Sequence, residues 1–165
     1  MSDGKDSSKT EGTGVKPEPS TVSTKSEAKA SDFVIENGVL VKYNGSADEV
    51  VVPSTVTALR DCEWSGEDHI FANYKTLKKV TLPAGLTKIG YGAFRDCVNL
   101  TSVNIPEGVK WLEGTFEGCT NLKKIKIPDG VTNMFEAFIG CSNLVEVNIQ
   151  RELGRWKVHL LIAVT

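Results

Sequence analysis

The middle of the chain repeats a set of three apolar residues, phenylalanine, cysteine and leucine, at a fixed interval of 22 residues. The sets are Phe94, Cys97 and Leu100, then Phe116, Cys119 and Leu122, then Phe138, Cys141 and Leu144. A period of this size is typical of solenoids, in which each repeat buries its apolar face by stacking on its neighbours. The period therefore predicts a solenoid with one elongated core.

Each repeat also carries a short segment in which apolar and polar residues alternate. Val80 and Leu82 precede Pro83, and the pattern recurs at Val103 and Ile105 before Pro106, Ile125 and Ile127 before Pro128, and Val147 and Ile149 without a proline. Alternation with a period of two predicts a half-buried β-strand. Proline has no N–H to give to a strand ladder, so it predicts the end of the strand.

The segment after each proline predicts a turn and then a second extended edge. The turn glycines are Gly85, Gly108 and Gly130, and the apolar residues of the second edge are Ile89, Leu112 and Met134. The three-residue spacing of Phe, Cys and Leu then predicts one face of a short helical or 3₁₀ turn. The predicted fold class is an α/β-type solenoid of mostly short parallel β-strands with turns and short helical or 3₁₀ segments.

The ends of the chain differ from the repeats. Residues 1–30 contain few large apolar side chains and balanced charges, which predicts a disordered polar linker. Residues 31–53 predict an N-terminal hairpin cap and first strand, because Asn37-Gly38 between two apolar stretches is a hairpin signal. Residues 54–149 predict repeats of 22–23 residues, the first with an insertion in DCEWSGEDH and with Tyr74 in place of cysteine. Residues 150–165 match no repeat and predict either a C-terminal cap or the foreign tail of a truncated array.

The repeat segments LTKIGYGAFRDCVNLTSVNIP, GVKWLEGTFEGCTNLKKIKIP and GVTNMFEAFIGCSNLVEVNI closely resemble the BspA-like (Treponema pallidum type) leucine-rich repeats. The segment FVIENGVLVKYNGSADEVVVP also looks like the N-terminal lead-in of that family. The resemblance covers about residues 33–149. It implies a right-handed leucine-rich repeat solenoid of a cell-surface or secreted protein, several members of which act in adhesion.

Composition limits the partners that the chain is expected to bind. The net charge of −2 predicts no general attraction to nucleic acid or to an anionic membrane. The longest apolar run, His159 to Val164, is far shorter than the roughly 20 residues of a spanning helix, so no membrane insertion is predicted. The chain as given shows no secretory signal, which leaves open whether it is complete or a fragment of a longer protein.

No catalytic, metal or cofactor site is predicted. The in-register Cys97, Cys119 and Cys141 follow the repeat and not the close spacing of metal ligands, so they predict free, buried thiols. Cys62, in the insertion, is expected to be the most accessible thiol. His69 and His159 have no nucleophile at a recognised spacing, so the chain is not expected to be an enzyme.

Two groups of residues are candidates for binding a partner. One group contains the insertion residues Trp64, Glu67, Asp68 and His69 together with Trp111, because tryptophan is enriched at binding hot spots and insertions often form the binding face. The other group contains the outward polar positions of the strands: Lys79, Thr81, Ser102, Asn104, Lys124, Lys126, Glu146 and Asn148, with Lys123 beside them. These lysines suit an acidic partner or a glycan.

The sequence therefore predicts a non-catalytic protein- or glycan-binding module of a cell-surface or secreted adhesion-type protein. A structural spacer is the alternative, in which the repeats set a distance within a longer modular surface protein whose activity lies elsewhere. The ligand and the oligomeric state are left open by the sequence.

Overall fold

The computed structural model describes residues 27–62 and 70–149. The described residues form a 3₁₀ helix, Ala30–Asp32, and eight β-strands: β1 (Phe33–Glu36), β2 (Val39–Tyr43), β3 (Glu49–Val51), β4 (Ala58–Leu59), β5 (Lys79–Thr81), β6 (Ser102–Val103), β7 (Lys124–Ile127) and β8 (Glu146–Ile149). Most of the predicted linker, the middle of the insertion and the tail 150–165 lie outside these ranges. Of the predicted linker, Glu27 pairs with Glu49 and Ala30 begins the 3₁₀ helix.

Strands β1 and β2 form an antiparallel hairpin around Asn37 and Gly38. Both turn residues have a positive φ, 49° and 79°, which is the conformation that a two-residue hairpin turn requires and that an Asn-Gly pair adopts readily. Strand β2 also pairs in parallel with β4, which places Leu40 beside Leu59. Both leucines are fully buried, so the hairpin shares the core of the first repeat.

Successive repeats pair through parallel strands, as the alternation of residues predicts. Strands β3, β5 and β6 form one three-stranded sheet, and β7 pairs with β8 in the same parallel sense. Val50 and Val80 are neighbours in this register and are buried, whereas the residues on either side of Val80 face outward. The repeating short parallel strands of the prediction are therefore confirmed.

The predicted short helical or 3₁₀ segments of the repeats are a series of single turns from Phe to Leu and not continuous helices. Cys97 N–H donates to Phe94 O at 3.2 Å and Leu100 N–H donates to Cys97 O at 2.9 Å, which gives the three-residue spacing of a 3₁₀ turn. Asp96, between Phe94 and Cys97, has a φ of 56°, which is in the left-handed region. A right-handed helix cannot continue through such a residue.

The left-handed residues turn backbone N–H groups toward the next repeat. Asp96 N–H donates to Glu117 O, and Gly118 N–H donates to Ile139 O, both at 2.7 Å. Gly118 has a φ of 72°, which glycine adopts without steric cost. Each turn therefore satisfies its backbone across the repeat boundary, where a helix would have satisfied it internally.

The core is a column of phenylalanine rings, one from each repeat. Phe71, Phe94, Phe116 and Phe138 stack with ring centroids 5.4, 5.6 and 5.8 Å apart and with planes within 10° of parallel. The spacing follows from the distance between neighbouring strands, which is about 4.8 Å. Three of these rings are fully buried and the fourth is 4% exposed. The in-register phenylalanines therefore form the centre of the fold.

The three repeat cysteines are free and lie beside this column. The Cys97, Cys119 and Cys141 thiols donate to the carbonyl oxygens of Phe71, Phe94 and Phe116 in the preceding repeats, at 2.9, 3.1 and 3.0 Å. Burial raises the pKa of Cys97 to about 12 and that of Cys141 to about 11, and it raises the pKa of Cys119 as well. The thiolate, which is the reactive form, is therefore scarce near neutral pH.

We expect a thiol reagent to label only Cys62 in the folded protein at about pH 8, because the other three thiols are buried out of reach of the reagent and the pKa of each is raised. Cys62 is partly exposed, but burial raises its pKa too, so it should react more slowly than a free cysteine. Mass spectrometry of the labelled protein gives the number of labelled thiols. Denatured protein is the control, in which all four thiols should react. Labelling of Cys119 as fast as Cys62 under native conditions would contradict this burial.

Candidate functional site

One candidate surface is the outer side of the parallel strands, which we call the polar sheet face. It consists of the eight polar residues predicted to bind a partner, seven of them in strands and Asn104 directly after β6, with Lys123 beside them: Lys79, Thr81, Ser102, Asn104, Lys124, Lys126, Glu146 and Asn148. The strand register makes Lys79 a neighbour of Ser102, and Lys126 a neighbour of Asn148. In β5 and β7, side chains point alternately into the core and toward solvent, so every second side chain lies on the outer face. The parallel register then aligns these outer side chains in rows across the strands.

Several residues of the polar sheet face are already engaged with the protein itself. The Asn104 amide accepts from Leu82 N–H at 2.7 Å and donates to Leu82 O at 2.9 Å, so it replaces the missing strand partner of that residue. Lys124 and Glu146 form an ion pair of 2.5 Å. Lys124 and Asn148 each donate a hydrogen bond to the Glu146 carboxylate, and these two bonds lower the pKa of Glu146. The side chains of Asn104, Lys124 and Glu146 are therefore engaged within the protein in this structure.

The remaining residues of the polar sheet face give it a positive character. Lys79, Lys123 and Lys126 are exposed, and Ser102 is an exposed neutral residue between them. Glu49, which pairs with Lys79, and Glu146 are the acidic residues of the strands themselves. Four lysines therefore share this face with two glutamates, although the whole chain has a net charge of −2. Val51, 68% exposed beside Thr81, adds an apolar patch that the sequence analysis missed.

Trp111 lies away from the polar sheet face, on the second extended edge of its repeat. The second edges of neighbouring repeats pair in parallel through isolated bridges. One bridge joins Trp111 to Asn133, and another joins Ala58 to Lys88 in earlier repeats. The indole is 56% exposed while the next residue, Leu112, is fully buried. The structure therefore places Trp111 on a different edge of its repeat from the strand residues that form the other candidate group.

A cavity of about 140 Å³ opens beside Trp111, and we call it the Trp111 cavity. Its lining residues are Asp61, Lys88, Ile89, Tyr91, Trp111 and Glu113. Ile89 is buried and forms the floor, whereas the charged residues and Trp111 are exposed at the rim. The cavity thus combines two aromatic rings, two carboxylates and one ammonium group.

One extra residue in the turn of the second repeat, which contains Phe94, accompanies the position of Tyr91 at the cavity wall. The turn IGYGAF is one residue longer than the equivalent LEGTF of the next repeat. Tyr91 N–H donates to the Asp61 carboxylate at 3.0 Å, and its carbonyl accepts from Cys62 N–H at 2.9 Å. Gly90 makes this approach possible, because a Cβ there would lie 2.1 Å from Arg60 O. Tyr91 is therefore held against the residues at which the insertion begins.

The side chains around the Trp111 cavity are also fixed. A Cβ on Gly114 would lie 2.8 Å from the Tyr91 ring, so the ring packs directly over that glycine. Lys88 and Asp61 form an ion pair of 2.7 Å. Partial burial opposes ionisation of Asp61, but the hydrogen bonds from Lys88 and Tyr91 outweigh it and lower the pKa of this carboxyl. Asp61 therefore stays ionised and neutralises Lys88.

The other predicted binding residues, Trp64, Glu67, Asp68 and His69, lie outside the described residues, so their role stays a prediction. Tyr91, Asp61 and Glu113, which line the Trp111 cavity, were not predicted from the sequence. The extra residue at Gly90-Tyr91 was the available signal, because a break in a repeat marks a local departure in structure.

Within residues 27–62 and 70–149, no group of three or more His, Cys, Asp or Glu residues is placed to hold a metal ion. A membrane-spanning helix, with the required length and apolarity, is not found in the same part of the chain.

Comparisons with known proteins relate the chain to bacterial repeat proteins. A sequence profile described as BspA type Leucine rich repeat region matches residues 41–160 in six copies. A leucine-rich cell surface protein of Faecalibacterium prausnitzii A2-165 has a similar structure, with a TM-score of 0.56 and 24% identity over 69% of this chain and 35% of that protein. The leucine-rich repeat protein of Treponema pallidum gives a TM-score of 0.54 and 20% identity over 74% of this chain and 82% of that one.

These similarities support the fold and the family to different degrees. Among curated protein sequences, none matches the chain. The chain spans about a third of the F. prausnitzii protein, and the identities to both solved structures are low enough that they show the fold alone. The profile, by contrast, covers most of the sequence, including all of the described repeats. The chain therefore belongs to the BspA-type leucine-rich repeat family.

Proposed function

We propose that the chain is a non-catalytic recognition module that binds an anionic protein segment or glycan through its polar sheet face. The observation that carries the proposal is the excess of exposed lysines on this face of a chain whose net charge is −2. Segregation of one sign of charge on one surface raises the local concentration of partners of opposite charge. An acidic peptide segment and a carboxylated or sulfated glycan share that chemistry.

The scaffold suits repeated contacts with an extended partner. Neighbouring strands are about 4.8 Å apart, so side chains in a row face successive groups of a polymer. Each exposed charge pair contributes only about 0.2–1 kcal/mol, and several pairs acting together provide a useful affinity. We infer that the repeats form a right-handed solenoid, because about 98% of parallel strand crossovers have that hand.

We place the module on a bacterial cell surface or in a secreted protein. The F. prausnitzii protein with a similar structure is described as a cell surface protein, which supports this location. An adhesive role in a longer surface protein agrees with a module that has many exposed polar side chains in register. The role as a spacer between other domains is the competing interpretation.

Reversing two charges of the polar sheet face should weaken binding of anionic partners. We expect Lys123→Glu with Lys126→Glu to lower the affinity for a heparin fragment or a poly-glutamate peptide by about tenfold, since 1.4 kcal/mol corresponds to that factor. Both lysines are exposed, so the fold should persist. Binding is measured by fluorescence anisotropy at low and at high salt, because exposed charges are screened by ions.

Lys110→Glu is the matched control, since Lys110 is exposed but precedes Trp111 on the other edge of its repeat. It should leave the affinity almost unchanged. The heparin and peptide arms distinguish a glycan from a protein partner. Absence of saturable binding in both arms, or a loss of affinity in Lys110→Glu as large as that in the Lys123→Glu, Lys126→Glu double variant, would reject the polar sheet face as a binding surface and favour the spacer.

A further inference from the structure

We propose that the Trp111 cavity is a second binding site, separate from the polar sheet face, and that it accepts an arginine side chain of a protein partner. The site differs from the polar sheet face in its location and in the sign of the charge that it selects. It rests on three observations, namely the size of the cavity, its two aromatic walls and the balance of its charged groups.

The size of the cavity fits one small planar group. Its volume of about 140 Å³ is close to the roughly 150 Å³ of an engineered protein cavity that binds benzene. It lies below the roughly 300–1,000 Å³ of pockets that enclose drug-sized ligands. A guanidinium group with the adjoining methylenes fills such a space, whereas the rest of a partner would lie outside it.

The aromatic walls offer exposed ring surface to a cation. The Trp111 indole is 56% exposed, and the Tyr91 ring is held over Gly114. A cation over the face of an aromatic ring is attracted by the ring quadrupole, most strongly by tryptophan. The guanidinium group is planar and weakly hydrated, so it stacks on such rings more readily than an ammonium group does.

The charges that line the cavity leave an uncompensated carboxylate. Asp61 and Lys88 neutralise each other in their ion pair. Glu113 is exposed at the rim and makes no ion pair with another described residue. A carboxylate offers two oxygens to the two parallel N–H groups of a guanidinium fork. The cavity is therefore acidic as well as aromatic.

Further acidic residues surround Tyr91. Burial raises the pKa of the Tyr91 hydroxyl, and the negative charges of Glu117, Glu136 and Glu113 raise it further, whereas Arg95 opposes them. Arg95 is itself paired with Glu117 at 3.1 Å. The environment of the ring is thus negative, which favours a cationic over an anionic ligand.

The site is formed before a ligand binds. The backbone of Tyr91 is held on both sides by Asp61 and Cys62, and its ring is seated on the next repeat. A preformed site loses less conformational entropy on binding, so even a single side chain can be recognised.

The probe for this site is the amide of N-acetyl-arginine, and its matched control is the amide of N-acetyl-citrulline. Citrulline has the same shape but replaces the charged guanidinium by a neutral urea. We expect the arginine probe to shift the indole N–H signal of Trp111 saturably in NMR spectra of the full chain, with a dissociation constant of about 1 mM. The citrulline probe should bind at least about tenfold more weakly, because it loses the charge interactions with Glu113 and the rings. Loss of one indole signal in Trp111→Phe assigns the resonance among the three tryptophans.

Variants separate the proposed contacts from general effects on the fold. Glu113→Gln should weaken the arginine probe by about fivefold, as expected for the loss of an exposed charge pair. Lys126→Glu, on the polar sheet face, should leave this binding unchanged, so failure of either proposed site is distinguishable. Phe135→Ala, at an exposed aromatic residue outside the cavity lining, should also leave it unchanged.

Three results would overturn the proposal. The first is equal binding of the arginine and citrulline probes, and the second is an unchanged affinity in Glu113→Gln. The third is a saturable shift of the Trp111 signal by methyl glucoside without a shift by the arginine probe, which would assign the cavity to a sugar ring.

Discussion

Replacing Phe116 with alanine is expected to lower the free energy of unfolding by about 3–5 kcal/mol, the usual range for a fully buried phenylalanine. The ring is 0% exposed and stacks on Phe94 at 5.6 Å and on Phe138 at 5.8 Å. Its removal leaves both neighbouring rings facing a void, because parallel strands on either side keep the repeats apart. The loss is measured as a shift in the urea midpoint at an unchanged slope.

Phe135→Ala provides the comparison, because Phe135 belongs to an adjacent turn and is 59% exposed. This variant should stay within about 0.5 kcal/mol of the parent protein. If Phe116→Ala and Phe135→Ala shift the midpoint equally, the column of stacked rings does not hold the repeats together.

Gly90→Ala is expected to lower the free energy of unfolding by about 3 kcal/mol, at the upper end of the range for overpacking. The added Cβ would lie 2.1 Å from Arg60 O and 2.6 Å from Asp61 N, and both atoms belong to the backbone. Neither can move away by changing a rotamer, so the turn must separate from the residues before the insertion. The hydrogen bond between Cys62 N–H and Tyr91 O should then be lost, which faster labelling of the Cys62 thiol would report.

Gly85→Ala is a matched control for this prediction. No atom lies within 4 Å of a Cβ at Gly85, and alanine there reduces the entropy of the unfolded chain. We expect a neutral or slightly stabilising effect. A Gly90 variant as stable as the Gly85 variant would show that the close backbone approach at Arg60 is absent.

The repeating part of the fold was readable from the sequence because the same residues recur with the same period. Val80 and Leu82 before Pro83 predict a strand, and the structure has β5 there. The turns were predicted less well, since a three-residue spacing suits a 3₁₀ helix as well as it suits a series of turns. A residue with a positive φ, two positions after each phenylalanine, ends the helical path and makes the segment a series of turns. At this position glycine indicates a positive φ in two repeats, at Gly118 and Gly140, whereas the other two repeats have Asn73 and Asp96 there.

The candidate surfaces were predictable only in part. Trp111 was identified from its residue type, but its neighbours Asp61 and Tyr91 are 30 residues apart in the chain and meet because two repeats are adjacent. The polar strand residues were placed correctly on one face, yet their mutual contacts depend on rotamers that no sequence pattern specifies. Asn104 illustrates this, because its amide binds the Leu82 backbone and is not free for a partner.

The thiol of each repeat cysteine donates to a carbonyl of the preceding repeat, and each phenylalanine ring stacks on the one before it. The three described boundaries between the repeats of Phe71, Phe94, Phe116 and Phe138 are thus made of the same two complementary halves, one on each side of a repeat unit. A gene duplication that copies one whole unit copies both halves, so the new unit fits between its neighbours without any new interface. The length of such a protein can therefore evolve in whole steps while the surface residues of each copy diverge.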